Sequence, residues 1–312
     1  MRPWLADDLY RELIDIRARE PERMQQAMRQ RRCRGQLAPD GKLVIIAADH
    51  PARGVLRAGD DPWAMADRWD FLRRLVRVLA VPGVDGVLGT ADVLEELALL
   101  RDLVVERGGP DFLAGKVLIG SLNRGGLAGA VWELDDPPTG YTPEGAERAG
   151  LDGLKLLLRV DLRDRDSLRT LEYAAQAMEQ IGRCGLHAFV EPLPVQRGDS
   201  GRPEVIRTAD ALTPLVGVAS ALGSTSTRTW LKLPIVADFA RVARATTCPI
   251  LLLGGESARD PGAFLDAVET ALAAAPNARG VMIGRNVLYP ATGWEPETIA
   301  ARLVTLVRGE GE

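Results

Sequence analysis

Three observations on the 312-residue sequence predict an α/β fold, a (β/α)8 TIM barrel with an N-terminal helical extension. Short apolar runs rich in β-branched residues alternate with longer amphipathic stretches, the pattern of a parallel sheet whose strands are buried on both faces. Eight such runs occur, the number a closed barrel needs. No GxGxxG follows the first run, which leaves the competing doubly wound open sheet without its usual signature.

The first 40 residues are expected to be a helical extension, with a helix near residues 3 to 32, and residues 41–312 the barrel. The strands are expected at "LVIIAAD" (43–49), "VDGVLG" (84–89), "KVLIGS" (116–121), "GLKLLLRVD" (153–161), "HAFVEP" (187–192), "TWLKLP" (229–234), "PILLLGG" (249–255) and "RGVMIGR" (279–285). Residues 61–80 and 164–185 carry apolar residues three or four apart behind Asp or Ser caps, and read as connecting helices. The segment 121–141 is too long for a simple connection, and its glycines, Trp132 and Pro137-Pro138 suggest an active-site loop.

Composition excludes several function classes. Hydrophobic residues make up 46% and charged residues 26% of the chain, and no apolar run approaches the roughly 20 residues of a membrane span. The N-terminus has no continuous apolar core with a cleavage site, so a cytoplasmic protein is expected. Net charge is −4, and the basic patch "MRQRRCRG" (28–35) lacks interleaved aromatics, which argues against nucleic-acid binding and reads as the solvated end of a helix. Cys33, Cys184 and Cys248 have no CxxC pairing and are expected to be reduced, partly buried thiols.

Lysine is the anomaly, with only Lys42, Lys116, Lys155 and Lys232 among 39 basic residues. Lys42 and Lys116 follow glycines at the solvent-facing starts of strands. Lys155 and Lys232 instead sit inside apolar runs. Strand side chains alternate, so Lys232 shares a face with Trp230 and Pro234, while Leu231 and Leu233 take the other. The assignment that puts the lysine against the helix layer buries an ammonium without a partner, so Lys232 is expected to point into the barrel. The same alternation turns Lys155, Leu157 and Arg159 inward and Leu154, Leu156 and Leu158 outward.

A lysine amine attacks a carbonyl only when neutral, and burial or a second cation lowers its pKa toward that state. Lys232 is therefore a candidate Schiff-base nucleophile with Lys155 tuning it; the alternative is a lysine paired with Glu191 or Asp49 for structure alone. Active sites of such barrels lie at the C-terminal ends of the strands. Asp49 and His50, Asn123 and Arg124, Arg159, Glu191, Gly254 and Gly255, and Gly284, Arg285 and Asn286 all fall there. Asp49 and Glu191 suit proton transfer or a substrate hydroxyl, and Arg124 or Arg159 suits a substrate carboxylate. The glycines and Arg285 suit a phosphate, whose oxygens reach backbone N–H groups where no Cβ intervenes. With His50 and His187 the only histidines, a metal-dependent aldolase lacks ligands; a metal on Asp49, His50 and Glu191 is the weaker alternative, and neither metal nor cofactor is expected.

The segments "AADHPARG", "GVDGVLGT", "GSLNRGGLAG", "LDGLKLLLRVD", "VEPLPV", "TWLKLPIV", "LLLGGE" and "GRNVLYP" resemble a bacterial barrel family related to the class I aldolases, among them deoxyribose-phosphate aldolase, tagatose-1,6-bisphosphate aldolase and the archaeal-type fructose-bisphosphate aldolase. The resemblance covers nearly all of the chain after residue 40. It implies a Schiff-base lysine at Lys232, a second active-site lysine at Lys155, an acid at Asp49 and phosphate-binding residues at Gly254, Gly255, Gly284 and Arg285. It further implies a sugar-phosphate substrate, a homo-oligomer and a place in myo-inositol catabolism, with 2-deoxy-5-keto-gluconate 6-phosphate cleaved to dihydroxyacetone phosphate and malonate semialdehyde. A ketose-bisphosphate or deoxyribose-phosphate substrate, or a non-catalytic phosphosugar-binding barrel, are the alternatives. The chain departs from the pattern by lacking a tyrosine after the leucines of the fourth run and by carrying Glu191 where the archaeal enzymes have a tyrosine.

Overall fold

The computed structural model describes residues 3–124, 126–199 and 201–309. Its strands are β1 (Leu43–Ala47), β2 (Gly86–Gly89), β3 (Val117–Ser121), β4 (Gly153–Val160), β5 (His187–Arg197), β6 (Pro203–Val205), β7 (Thr229–Pro234), β8 (Ile250–Leu253) and β9 (Ala278–Ile283). All except β6 fall on the eight expected runs, β5 extending past 192 to Arg197 and β9 starting one residue early at Ala278. They pair in parallel in the order β4-β3-β2-β1-β9-β8-β7-β5, and a β4–β5 pairing closes the barrel.

Alternation along the strands separates two apolar layers. Leu43, Ile45, Leu88, Ile119, Phe189, Trp230, Leu251 and Met282 fill the barrel interior, with the Phe189 and Trp230 rings stacked 6.2 Å apart. Leu154, Leu156, Leu158, Leu231 and Leu233 belong to the outer cluster between sheet and helices, as the period of two requires.

The helices around the barrel begin with α1 (Asp8–Arg19) and α2 (Glu22–Gln30), followed by α3 (Arg68–Leu79) and α4 (Ala91–Glu106). The single N-terminal helix expected over 3–32 is thus two helices, interrupted at Glu20-Pro21, where proline fits only a first turn. Helix α3 starts later than residue 61, because the Asp67 carboxylate caps it by accepting from the Asp70 N–H at 3.0 Å. Among the described residues no helix is long and apolar enough to cross a membrane.

The basic patch is only partly solvated: Arg29 and Arg32 are exposed, but Arg31 and Arg34 turn inward. Arg31 is buried and donates to the carbonyls of Lys116 and Gly150 and to Asp152 at 3.4 Å. Arg34 reaches Asp85 at 2.8 Å and the Gly115 carbonyl at 3.0 Å. Asp85 in turn accepts from the Val44 N–H and from Arg308, each at 2.7 Å. These arginines close the N-terminal end of the barrel. Lys116 is half-buried and donates to the Val84 carbonyl rather than facing solvent. Cys33 is exposed, whereas Cys184 and Cys248 are half-buried, and all three are free thiols.

Candidate active site

At the opposite end a cavity of about 360 Å³ opens between the C-terminal ends of the strands. Its lining includes Asp49, His50, Lys155, Arg159, Glu191, Lys232, Gly254, Gly255, Gly284 and Arg285, ten of the residues the sequence brings forward. Its floor is the Phe189–Trp230 layer, because Glu191 and Lys232 lie two residues beyond those rings on the same inward faces of β5 and β7.

Two ammoniums and two carboxylates meet there. The Lys232 Nζ donates to Glu191 Oε2 at 3.1 Å, and Lys155 Nζ stands 2.7 Å from that same oxygen. Lys155 also donates to Asp49 Oδ2 at 3.2 Å. All four side chains are buried, Lys232 at 5% exposure and Lys155 at 3%. Glu191 therefore bridges the lysines, and Asp49 holds one of them from the β1 side.

Burial sets the direction for Lys232 and pushes its ammonium below the ordinary value; Glu191 opposes the shift and Lys155 adds to it. The neighbouring cation is thus a lesser cause than burial itself. Burial would raise the Glu191 carboxyl, but Lys155 and Lys232 bring it down to about 2. Burial likewise works against Asp49, and Lys155 and Lys232 overcome it, holding the group ionised. His50 falls to about 4, chiefly through burial, so its ring is neutral near pH 7. Among the described residues no three His, Cys, Asp or Glu side chains form a group that could hold a metal ion.

Across the barrel, Gly254 and Gly255 follow β8, and Gly284 and Arg285 follow β9. Gly255 has φ +67°, and a Cβ on Gly284 would lie 2.3 Å from the Ala47 carbonyl oxygen, so both positions require glycine. Arg285 and Arg207 face this turn, and no hydrogen bond or ion pair among the described residues engages either guanidinium. Burial lowers the Arg285 pKa and Arg207 adds to the shift, against the pull of Glu256.

Two asparagines and one arginine stand apart from this cavity lining. Asn123 is buried and joins the Leu157 backbone, accepting at 2.7 Å and donating at 2.6 Å, so its amide fixes the loop after β3. Asn286 donates to the Gly254 and Glu256 carbonyls and accepts from the Ala258 N–H, holding the turn after β8 in shape. Arg124 reaches only the Ala52 carbonyl, at 3.4 Å.

Several lining residues escaped the sequence reading. Arg53, Glu133 and Arg207 line the cavity, as do Val195, Pro203 and Val205 of the β5–β6 hairpin, which leans over its mouth. The hairpin had a signal in "RGDSGRP", a turn-rich stretch between two extended segments. Nothing local singled out the side chains of Arg53 and Glu133, because Arg53 pairs with Asp136 of the loop after β3 and Glu133 with Arg159 of β4.

The fold and site define a (β/α)8 barrel with a buried, carboxylate-bridged lysine pair at the C-terminal ends of its strands. The chain belongs to the Cgl0159-like family, whose model matches residues 41–301. It is 39% identical to Cgl0159 of Corynebacterium glutamicum, over 97% of each chain, with a TM-score of 0.89. An archaeal fructose-1,6-bisphosphate aldolase, solved with its catalytic lysine bound to a carbinolamine intermediate, is 20% identical over 91% of this chain and 99% of its own, with a TM-score of 0.60. Fructose-bisphosphate aldolase from Slackia heliotrinireducens is 14% identical over 99% and 94%, with a TM-score of 0.58. At these identities the aldolases share the fold. Comparison with curated proteins gives no match.

Proposed function

We propose that the protein is a class I aldolase in which Lys232 forms the Schiff base. The observation that carries this reading is a lysine buried at the floor of an open cavity, its pKa lowered by burial, within hydrogen-bond reach of a carboxylate. The shared fold of a fructose-bisphosphate aldolase described as Schiff-base-forming adds support.

The substrate proposed is 2-deoxy-5-keto-gluconate 6-phosphate, a dianion or trianion that suits a cavity with arginines at its rim. Its phosphate takes the Gly254–Gly255 turn and Arg285, where backbone N–H groups and a guanidinium converge. Neutral Lys232 attacks the C5 ketone, and the carbinolamine loses water to give an iminium. The C3 hydroxyl then gives its proton to the Glu191–Lys155 pair as the C3–C4 bond breaks. Its electron pair moves toward the iminium, leaving an enamine and releasing malonate semialdehyde. Protonation of the enamine at C4 and hydrolysis release dihydroxyacetone phosphate and restore the amine. Atoms balance without an oxidant or cofactor. Asp49 holds Lys155 in place. A cytoplasmic, homo-oligomeric enzyme of inositol catabolism is the setting we propose.

A turnover panel tests this. Release of dihydroxyacetone phosphate is measured from 2-deoxy-5-keto-gluconate 6-phosphate, fructose 1,6-bisphosphate and tagatose 1,6-bisphosphate, and acetaldehyde from deoxyribose 5-phosphate. Cleavage of the keto-sugar acid with the highest kcat/KM is expected. Cleavage of none, with thermal stabilisation by the phosphates, would replace the aldolase with a phosphosugar-binding barrel.

A further inference from the structure

Opposite the phosphate-facing turn lies a second cationic wall. In the barrel order, β4 stands four strands from β9, so Arg159 and Arg285 face one another across the axis. Arg159 and Arg53 are both buried there with Asp136, whose Oδ2 lies 3.0 Å from the Arg53 Nη1 and 3.5 Å from the Arg159 Nη2. Asp136 is itself buried and is also held by the Gly126 N–H at 2.9 Å. One carboxylate thus serves two guanidiniums.

The balancing negative charge comes from Glu133, and it is held differently. Its carboxylate receives the Arg159 Nη1 on one oxygen and the Gly129 N–H at 2.8 Å on the other. Glu133 lines the cavity and sits on the loop after β3. On its N-terminal side Val131 and Trp132 are 83% and 52% exposed and Gly129 has φ +81°, whereas Leu134 after it is buried. The Arg159 Nε is buried without an acceptor, and burial lowers the Arg159 pKa. The Arg159 Nη2 also donates to the Gly126 and Glu133 backbone carbonyls, at 2.9 and 2.7 Å. Arg159 therefore has fixed partners in these carbonyls and in Asp136, and a removable one in the Glu133 carboxylate.

We propose that Glu133 is a stand-in for a substrate carboxylate, and that Arg159, with Arg53 behind it, forms a carboxylate subsite that selects substrates acidic at the end remote from the phosphate. The incoming carboxylate replaces that of Glu133 on Arg159, charge at the wall stays balanced, and the Glu133 side chain turns out to water beside Trp132. A neutral aldehyde end cannot make that exchange, because it leaves the buried guanidinium short of an anion. The subsite deepens the aldolase reading by assigning the residues that recognise the acid end of its substrate and the carboxylate they exchange for it, and rests on that reading for the phosphate at the other end.

The test uses 3-hydroxypropionate, with 1,3-propanediol as the uncharged control, titrated calorimetrically into the full-length protein. The acid is expected to bind and the diol not. Glu133→Ala and Glu133→Gln each remove the competing carboxylate and should tighten the acid by about tenfold, the effect of one charge-assisted hydrogen bond. Arg159→Lys and Arg159→Gln should weaken it by at least that factor. Trp132 emission should change on titration of the wild-type protein, and the change should vanish in Trp132→Phe. Equal or weaker binding in both Glu133 variants, undiminished binding in the Arg159 variants, or silent Trp132 emission overturns the subsite. The probe has no carbonyl and forms no imine. A protein that binds it as described yet cleaves no keto-sugar acid overturns the aldolase reading alone, and one that cleaves but gains nothing without Glu133 overturns the subsite alone.

Discussion

At the N-terminal end of the barrel Arg31, Arg34 and Arg308 meet Asp85 and Asp152; at the C-terminal end Lys155 and Lys232 meet Asp49 and Glu191. Both ends bury cations against carboxylates, but the arginines also reach backbone carbonyls of the strand-start loops. Arginine stays charged and offers five fixed donors, so it suits a permanent closure. Lysine offers one nitrogen that burial can bring to neutrality, and here it faces a cavity rather than backbone. The same kind of charge thus serves stability at one end and, in the function we propose, chemistry at the other.

Substitutions can break that contrast. Lys232→Ala should lower kcat by about three orders of magnitude or more, since no other group on the cavity floor replaces the imine, while the fold persists with Glu191 still paired to Lys155. Steady-state kinetics and circular dichroism check the two halves. Arg31→Ala should do the reverse, costing about 2 to 4 kcal/mol in urea unfolding by stranding buried acceptors, with kcat unchanged.

Glu191→Gln should cost about a hundredfold in kcat through the lost proton acceptor. It also sharpens the electrostatic account through pH. The amine acts when neutral, so kcat/KM rises with pH through the Lys232 pKa. Glu191 holds that pKa up, and its neutralisation should move the acid limb to lower pH. Stability responds separately. The Glu191 carboxyl lies at about 2 in the folded protein against an ordinary 4.5, so its contribution is complete above 4.5 and is lost as pH falls through about 2. Urea unfolding between pH 2 and 6 should show a shallower acid loss in Glu191→Gln than in the wild-type protein. The smallest effect is expected at Gly255→Ala, where the left-handed backbone costs about 1 kcal/mol and the added methyl crowds Arg207, raising KM more than it lowers kcat.

The barrel was legible because strand alternation is local: the leucines around Lys155 and Lys232 assign their faces without knowledge of any partner. Lysine scarcity then marked both residues of the central pair. What the sequence could not show were partners distant along the chain. Arg31 read as solvated because Asp152 and Gly150 lie more than a hundred residues away. Asn123 and Asn286 read as ligand contacts because a buried amide tying down a loop has the same local context as one facing substrate. Glu133 falls in the loop over 121–141 and Arg53 in "AADHPARG", but neither side chain was marked, since their meeting with Arg159 depends on how two loops fold over the rim.

The most direct test of a neutral, nucleophilic Lys232 is borohydride reduction of the protein with dihydroxyacetone phosphate, followed by peptide mass mapping. A single reduced adduct on Lys232, absent from Lys232→Ala, is the predicted result; no adduct, or one on Lys155 instead, would contradict it.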